Sequence, residues 1–120
     1  MNYHFVWSTN YRRKILYSPI GLVLSKILRD VWSQNGLEII QLEVMPDHIH
    51  LFIFAKPADS PSHIMSIIRG ASSYLLFREF PAIKRKLWGG HLWNPSYYVG
   101  TAGQMSSETI NKYIENQKTA

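Results

Sequence analysis

Two Ser-Pro dipeptides, at residues 18–19 and 60–61, each open a segment with apolar residues at helical spacing. Proline is favoured at the first position of a helix and serine at the cap before it, so the pair predicts two helix starts. The first segment, SPIGLVLSKILRDVWSQNG, is predicted to begin with Ser18 as its cap and Pro19 as its first helical residue, and to end at Gly36. The second begins at Ser60 and must end before Pro81, and its residues at helical spacing are Ile64, Ile67, Ile68, Ala71, Tyr74 and Leu75. These two helices divide the chain into strand-forming stretches.

Four segments rich in β-branched and aromatic residues surround the two helices and are predicted to be strands. They are YHFVWST, LEIIQLEV, HIHLFIFA and YYVGT, and a short turn at residues 45–47 joins the second to the third. The segment SSETINKYIENQK, capped by Ser106 or Ser107, is predicted as a final helix. The order βαββαβ predicts one α+β domain over residues 1–120, with a ferredoxin-like (RRM-like) antiparallel sheet, helices packed on it and an extra C-terminal helix.

Composition excludes several classes of protein. The 120-residue chain contains no cysteine, so it has neither disulfides nor a thiolate metal site. No apolar run approaches the roughly 20 residues that a membrane-spanning helix needs, and the N-terminal residues do not resemble an export signal. We therefore expect a cytoplasmic protein that is not embedded in a membrane.

The charge of the chain indicates a polyanionic partner. Thirteen Lys and Arg residues against eight Asp and Glu residues give a net charge of +5, and aromatic residues make up 13% of the chain. Aromatic rings can stack on unpaired bases, and basic side chains can contact phosphates. The basic residues most suited to DNA phosphates form two clusters, the second in a predicted loop: Arg12, Arg13 and Lys14, and Lys84, Arg85 and Lys86.

Two histidines stand one residue apart in the third predicted strand, within MPDHIHLFIF. Because side chains alternate across a strand, His48 and His50 point to the same face, with their Cα atoms about 6.5 to 7 Å apart. Their rings can therefore converge on one ion, with nitrogens about 2.1 Å from it. Two adjacent imidazoles on an apolar strand would otherwise need two sets of polar partners. We interpret this pair as metal ligands and the other three histidines, at positions 4, 63 and 91, as packing residues.

The histidine pair, together with YIENQ in the last predicted helix, resembles the single-tyrosine HUH transposases of the 200/605 group of insertion sequences, which act on single-stranded DNA. The resemblance extends nearly from end to end, through Tyr11-Arg12, MPDHIHLF, SYYVGT and the helix of Tyr113. It implies that Tyr113 is the nucleophile and that His48, His50 and Gln117 bind a divalent metal, Mg²⁺ or Mn²⁺. Two imidazoles and one amide would leave coordination positions open for phosphate oxygens and water.

The residues of the last helix are compatible with these roles. Ile110, Tyr113, Ile114 and Gln117 follow one another at i, i+3, i+4 and i+7, so they form one stripe of the helix. Tyr113 and Gln117 are neighbours on that stripe. Without the histidine pair, simple packing would explain the stripe equally well.

The resemblance implies a DNA transposase that cleaves and rejoins insertion-sequence ends through a 5′-phosphotyrosine intermediate. The expected substrate is single-stranded DNA with hairpin ends. Two ends must be cleaved and the chain offers one candidate nucleophile, so we expect a homodimer; the resemblance implies that Tyr113 of one chain can complete the histidine site of the other, and the sequence leaves both arrangements open. The alternative is a non-catalytic single-stranded DNA- or RNA-binding module on the same fold, whose binding would not depend on metal.

Overall fold

A four-stranded antiparallel sheet forms the centre of the protein in a computed structural model, which describes residues 2–36, 38–87 and 90–101. The strands are β1 (Asn2–Ser8), β2 (Glu38–Val44), β3 (His48–Phe54) and β4 (Tyr98–Thr101), arranged in the order β2-β3-β1-β4. Every neighbouring pair is antiparallel. The predicted ferredoxin-like α+β fold is confirmed, whereas the predicted C-terminal helix lies outside the described residues.

The first helix, α1 (Ile20–Gln34), begins one residue later than predicted. Pro19 occupies the cap position and makes no side-chain capping bond, so the predicted capping role of Ser18 is wrong. The carbonyl of Tyr17 accepts from the Gly21 amide at 3.0 Å instead, which satisfies a donor of the first turn. The helix ends as expected, with Gly36 in the left-handed conformation at a φ of 69°.

The second helix, α2 (Pro61–Glu79), begins as predicted, because the Ser60 hydroxyl accepts from the His63 amide at 3.2 Å. Phe80 leaves the helical conformation before Pro81, and a short third helix, α3 (Pro81–Lys86), follows at once. The prediction of a basic loop here is wrong, since Pro81 starts a new helix at a position that favours proline. No helix in the described part of the chain is long and apolar enough to cross a membrane.

The core lies on one face of the sheet, under α1 and α2. Ile49, Leu51 and Ile53 of β3 are at most 1% exposed, and the residues between them are less buried. Alternation therefore places the histidines of β3 on the opposite face. The helices contribute buried side chains that complete the core, namely Leu24, Ile27, Leu28, Val31, Trp32, Ile64, Met65, Ile68 and Leu76.

Candidate active site

The two histidines of β3 lie on the face of the sheet opposite α1 and α2. Residues of the neighbouring strands are paired with them on that face. His50 pairs with Glu43 of β2 and with Val6 of β1. One row further along, Phe52 pairs with His4. Because directly paired residues point to the same face, the strands gather the imidazoles of β3, one imidazole of β1 and one carboxylate of β2 on one surface.

His48 and His50 lie together as predicted. Their ring centroids are 5.1 Å apart and their planes meet at 70°. The Nδ1 atom of His48 is 2.7 Å from Oδ1 of Asp47. Both rings remain partly exposed, so the pair combines a shared face with access from outside.

Asp47 links His48 to Arg12 through its two carboxylate oxygens. Its Oδ2 atom lies 2.6 Å from a terminal guanidinium nitrogen of Arg12, and the two side chains are only 9% and 10% exposed. Burial by itself raises the pKa of Asp47, but the hydrogen bond from His48 and the charge of Arg12 outweigh it and hold that pKa below its usual value. Asp47 is therefore ionised at neutral pH and can only accept hydrogen bonds, so His48 donates from Nδ1. This leaves Nε2 as the ring nitrogen through which His48 could bind a metal.

A tight turn holds Arg12 in place for this ion pair. Tyr11 and Arg12 adopt left-handed backbone conformations with φ of 57° and 52°, which are unfavourable for residues other than glycine. Thr9 fixes the start of the turn, since its amide donates to the Asp47 carbonyl at 2.9 Å and its hydroxyl to the Arg13 carbonyl at 2.8 Å. Leu16 closes it by donating to the Pro46 carbonyl at 2.9 Å. The segment before β3 and the turn after β1 therefore support one another.

His50 lies in a polar hollow of about 240 Å³, lined by His4, Gln41, Glu43, His50 and Phe52. The pKa of His50 is lowered to about 4, chiefly by burial and in smaller part by the nearby rings of His48 and His4, while Glu43 opposes the shift. His50 is therefore neutral at physiological pH, the state in which an imidazole binds metal. Burial also lowers the pKa of His4, against the opposing effect of Glu43.

The two basic clusters differ in their surroundings. Arg12 pairs with Asp47 in the interior of the site, whereas Arg13 and Lys14 are exposed. The second cluster occupies the last turn of α3, and all three of its members, Lys84, Arg85 and Lys86, are exposed. Their predicted contacts with DNA phosphates remain predictions.

Lys84 borders a surface hollow of about 400 Å³ between α2 and α3, which we call the α2–α3 groove; its lining is Ser73, Tyr74, Phe77, Arg78, Lys84 and Gly90. Tyr74 is 66% exposed, although the helical spacing of α2 predicted that it would lie on the buried stripe. The Lys84 ammonium lies 6.0 Å from the centre of the Phe77 ring. Among the described residues, the lining combines two aromatic rings with two cations and contains no acidic side chain. Such a surface favours a polyanion with planar groups.

Sequence reasoning missed Asp47 and His4, which contact the histidine pair. Asp47 directly precedes His48, and His4 falls on the same side of β1 as Val6, so position gave a weak signal for both. The interpretation of His4 as a packing residue leaves out its contact with His50. Tyr113 and Gln117 lie outside the described residues, so their predicted roles remain predictions.

Comparison with known proteins identifies the family. Residues 1–117 match the family described as "Transposase IS200 like". This chain belongs to the IS200-like transposase family. It is 44% identical over 117 residues to the ISDra2 transposase TnpA of Deinococcus radiodurans, covering 98% of this chain and 84% of that protein. It is also 32% identical over 115 residues to the transposase of insertion sequence element IS200 of Salmonella typhimurium, covering 96% of this chain and 75% of that one.

Solved structures of other transposases share the fold. A crystal structure of a Deinococcus radiodurans R1 protein described as a transposase superposes with a TM-score of 0.93 at 43% identity, covering 100% of this chain and 92% of that one. A REP-associated tyrosine transposase bound to a REP hairpin superposes with a TM-score of 0.60 at 16% identity, covering 95% of this chain and 62% of that one. This chain therefore has the fold of known transposases, and its family membership implies DNA cleavage and transfer.

Proposed function

We propose that this IS200-like transposase cleaves and rejoins single-stranded DNA at insertion-sequence ends, using Tyr113 as nucleophile and a divalent metal held by His48, His50 and Gln117. The observation that carries the proposal is the pair of imidazoles on one face of β3, 5.1 Å apart, with His48 held at Nδ1 by an ionised Asp47. The chain belongs to a transposase family, so DNA cleavage and transfer is the chemistry to which this pair would contribute.

The proposed ligands suit a metal ion that also binds oxygen atoms of the substrate. Both imidazoles are partly exposed, and His50 is neutral at physiological pH. Among the residues that the structure describes, no group of three or more His, Asp or Glu side chains could hold a metal ion, so a further ligand such as Gln117 is part of the proposal. Mg²⁺, or Mn²⁺ in its place, would neutralise charge on the phosphate at this site. Asp47 meanwhile holds the His48 ring in a fixed orientation.

The proposed chemistry conserves one phosphodiester bond at each step. The Tyr113 phenol loses its proton, and its oxygen attacks the phosphorus while the 3′-oxygen of the preceding nucleotide leaves and takes up a proton. The products are a 5′-phosphotyrosine and a free 3′-hydroxyl. A later 3′-hydroxyl attacks the phosphotyrosine and restores the tyrosine, so strand joining needs no ATP.

The proposed partner is single-stranded DNA with hairpin ends. The REP-associated tyrosine transposase with the same fold is bound to a hairpin. In this chain the α2–α3 groove offers exposed Tyr74 for base stacking and Lys84 and Arg78 for phosphate contacts. These residues lie apart from the histidine pair, so they would hold the DNA without taking part in the chemistry.

A homodimer is the proposed working unit, because two DNA ends require two nucleophiles. In the described part of the chain, β2 and β4 are the outer strands of the sheet. An outer strand can pair with the same strand of a second copy across a two-fold axis. The Tyr113 of one chain would then be able to complete the histidine site of the other.

A cleavage assay tests the proposal. Single-stranded oligonucleotides that tile both strands of the DNA flanking the coding sequence, labelled at either end, are incubated with protein and Mg²⁺ or Mn²⁺ and resolved on a denaturing gel. We expect a covalent adduct that carries the fragment on the 3′ side of the cut, and none when a chelator is present. His48→Ala and His50→Ala should each reduce cleavage more than about 100-fold while retaining hairpin binding, since loss of a group that only orients a metal ligand already costs about 10- to 100-fold.

Hairpin binding without any adduct, in the presence of either metal, would instead support the non-catalytic binding module. Cleavage by either histidine variant at the wild-type rate would contradict the metal assignment.

A further inference from the structure

His4 of β1 lies against the second imidazole of the candidate site. Its Nε2 atom is 3.4 Å from Nδ1 of His50, and the two ring centroids are 5.6 Å apart. The strand register explains this approach, since His4 pairs with Phe52 and Val6 pairs with His50. His4 is therefore the diagonal neighbour of His50 on the same face of the sheet.

Neighbouring residues limit the orientations that the His4 ring can adopt. The edge of the Phe52 ring meets it in a T-shaped contact, with centroids 5.9 Å apart and planes at 84°. On the other side, His4 pairs with Gly100 of β4, which has no side chain to compete for this space. Packing thus directs His4 toward His50 from a strand within the sheet rather than from a loop.

We propose that His4 is a positioning residue for His50, an inference that rests on the metal-binding role proposed above. His4 accepts at Nε2 a hydrogen bond from the Nδ1–H group of His50 and carries its own proton on Nδ1. This bond fixes His50 in the Nδ1–H tautomer, and its Nε2 lone pair is then the one available to a metal.

The other histidine of the pair supports this assignment by its own contact. The ionised Asp47 can only accept, so His48 also donates from Nδ1, which leaves its Nε2 as the nitrogen that could bind a metal. Asp47 and His4 therefore play the same part for the two imidazoles, one through a carboxylate and the other through an unprotonated ring nitrogen. Each imidazole would therefore bind the shared ion through the same type of nitrogen, Nε2.

Two substitutions separate the hydrogen bond from packing. His4→Phe keeps a ring beside Phe52 but removes the acceptor, whereas His4→Gln keeps an acceptor oxygen near the position of Nε2. His63→Phe, at an exposed histidine of α2, is the matched control. The first readout is the imidazole ¹⁵N spectrum of the metal-free protein, which reports the tautomer of His50. The second is Mn²⁺ affinity measured by calorimetry, together with Tm.

We expect His50 in the Nδ1–H tautomer in the wild type, the His4→Gln variant and the His63→Phe control, and a mixture of tautomers in His4→Phe. Mn²⁺ affinity should fall about 10- to 100-fold in His4→Phe, as for other groups that orient metal ligands, and stay close to wild type in His4→Gln. Unchanged tautomer and affinity in His4→Phe would overturn the inference. An equal loss of affinity in both His4 variants would overturn it as well, because it would make His4 a direct ligand.

Failure of the proposed function has a different signature. The metal site would be refuted if the wild-type protein bound no Mn²⁺ and the His50→Ala variant cleaved DNA as well as the wild type. The ¹⁵N spectra of the metal-free proteins would still decide whether His4 sets the tautomer of His50.

Discussion

Oδ1 of Asp47 lies 2.7 Å from Nδ1 of His48, while Oδ2 of the same carboxylate lies 2.6 Å from the Arg12 guanidinium. One buried carboxylate thus connects the strained turn after β1 with the first of the two imidazoles of β3. Burial alone would raise the pKa of Asp47, but the hydrogen bond from His48 and the charge of Arg12 hold it below its usual value, and the ionised Asp47 fixes His48 as a donor at Nδ1. The orientation of His48 therefore depends on a residue 36 positions earlier in the sequence.

Substituting Asp47→Asn tests this connection. The amide keeps the size of the side chain but removes the negative charge that pairs with the largely buried guanidinium of Arg12. We expect the free energy of unfolding to fall by about 1–3 kcal/mol. Mn²⁺ affinity should fall about 10- to 100-fold, since the His48 ring is no longer held in one orientation. Thermal denaturation and calorimetry measure the two effects.

The control for this prediction is Asp30→Asn, at an exposed aspartate of α1. It should leave both quantities close to wild type. Wild-type Mn²⁺ affinity in Asp47→Asn would show that His48 does not depend on this carboxylate.

The α2–α3 groove predicts two distinct effects on DNA binding. Tyr74→Ala removes an exposed ring and should weaken binding of a single-stranded hairpin oligonucleotide by about 1–3 kcal/mol if that ring stacks on a base. Lys84→Ala should reduce the slope of log affinity against log salt by about 0.7 to 0.9, the value for one phosphate contact. Fluorescence anisotropy at several salt concentrations measures both.

Tyr17→Ala is the matched control for the aromatic residue, because Tyr17 is 56% exposed and lies outside the groove. Equal losses in Tyr17→Ala and Tyr74→Ala would argue against a specific stacking position. An unchanged salt slope in Lys84→Ala would remove that lysine from the DNA contacts.

Acidification should destabilise the metal-free protein through His50. The folded-state pKa of His50 is about 4, against an ordinary value of 6.5, so between these values the unfolded chain binds a proton that the folded chain does not. Stability is therefore lost as the pH falls from about 6.5 toward 4. In His50→Phe this contribution disappears, and the decrease in Tm between pH 7 and pH 4 should be smaller than in the wild type.

Asp47 contributes to stability in a separate pH range. Its pKa lies below the ordinary value of 3.8, so the contribution of Asp47 to stability is present above pH 3.8 and is lost only at lower pH. Thermal scans with a chelator present keep metal out of the comparison. Identical decreases in Tm for wild type and His50→Phe would contradict the assignment.

A mixed dimer tests whether the sites are shared. Tyr113→Phe chains combined with His48→Ala chains should restore cleavage if the tyrosine of one chain serves the histidines of the other, because one composite site in the mixed dimer is then intact. If both groups come from one chain, every site stays broken and no cleavage returns. Strand exchange by a protein that sediments as a monomer on DNA would contradict the dimer itself.

The sequence predicted β3 and its histidine face because strand alternation depends only on neighbouring residues. The stripe of α2 was less predictable. Apolar residues occur on several sides of this helix, so spacing alone placed Tyr74 inside, whereas packing on the sheet buries Ile64, Ile68 and Leu76 and leaves Tyr74 exposed. Tertiary packing, not local periodicity, determines which side of such a helix is buried.

The residues that hold the two histidines in place could not be predicted from the sequence, for a similar reason. Arg12 and Asp47 meet only because β1 and β3 are adjacent in the sheet, and no local pattern predicts that pairing. The left-handed backbone at Tyr11 and Arg12 was also not predictable, since neither residue type favours it. His4 became significant only when the register placed it diagonal to His50.

The attachment point of DNA tests the central claim most directly. The covalent adduct formed with Mg²⁺ or Mn²⁺ is digested with protease and nuclease, and the modified peptide is sequenced by mass spectrometry. We predict a nucleotide 5′-phosphate on Tyr113, and no adduct from Tyr113→Phe, which should still bind the hairpin with nearly wild-type affinity. A nucleotide on any other residue, or an adduct that persists in Tyr113→Phe, would contradict the assignment of the nucleophile.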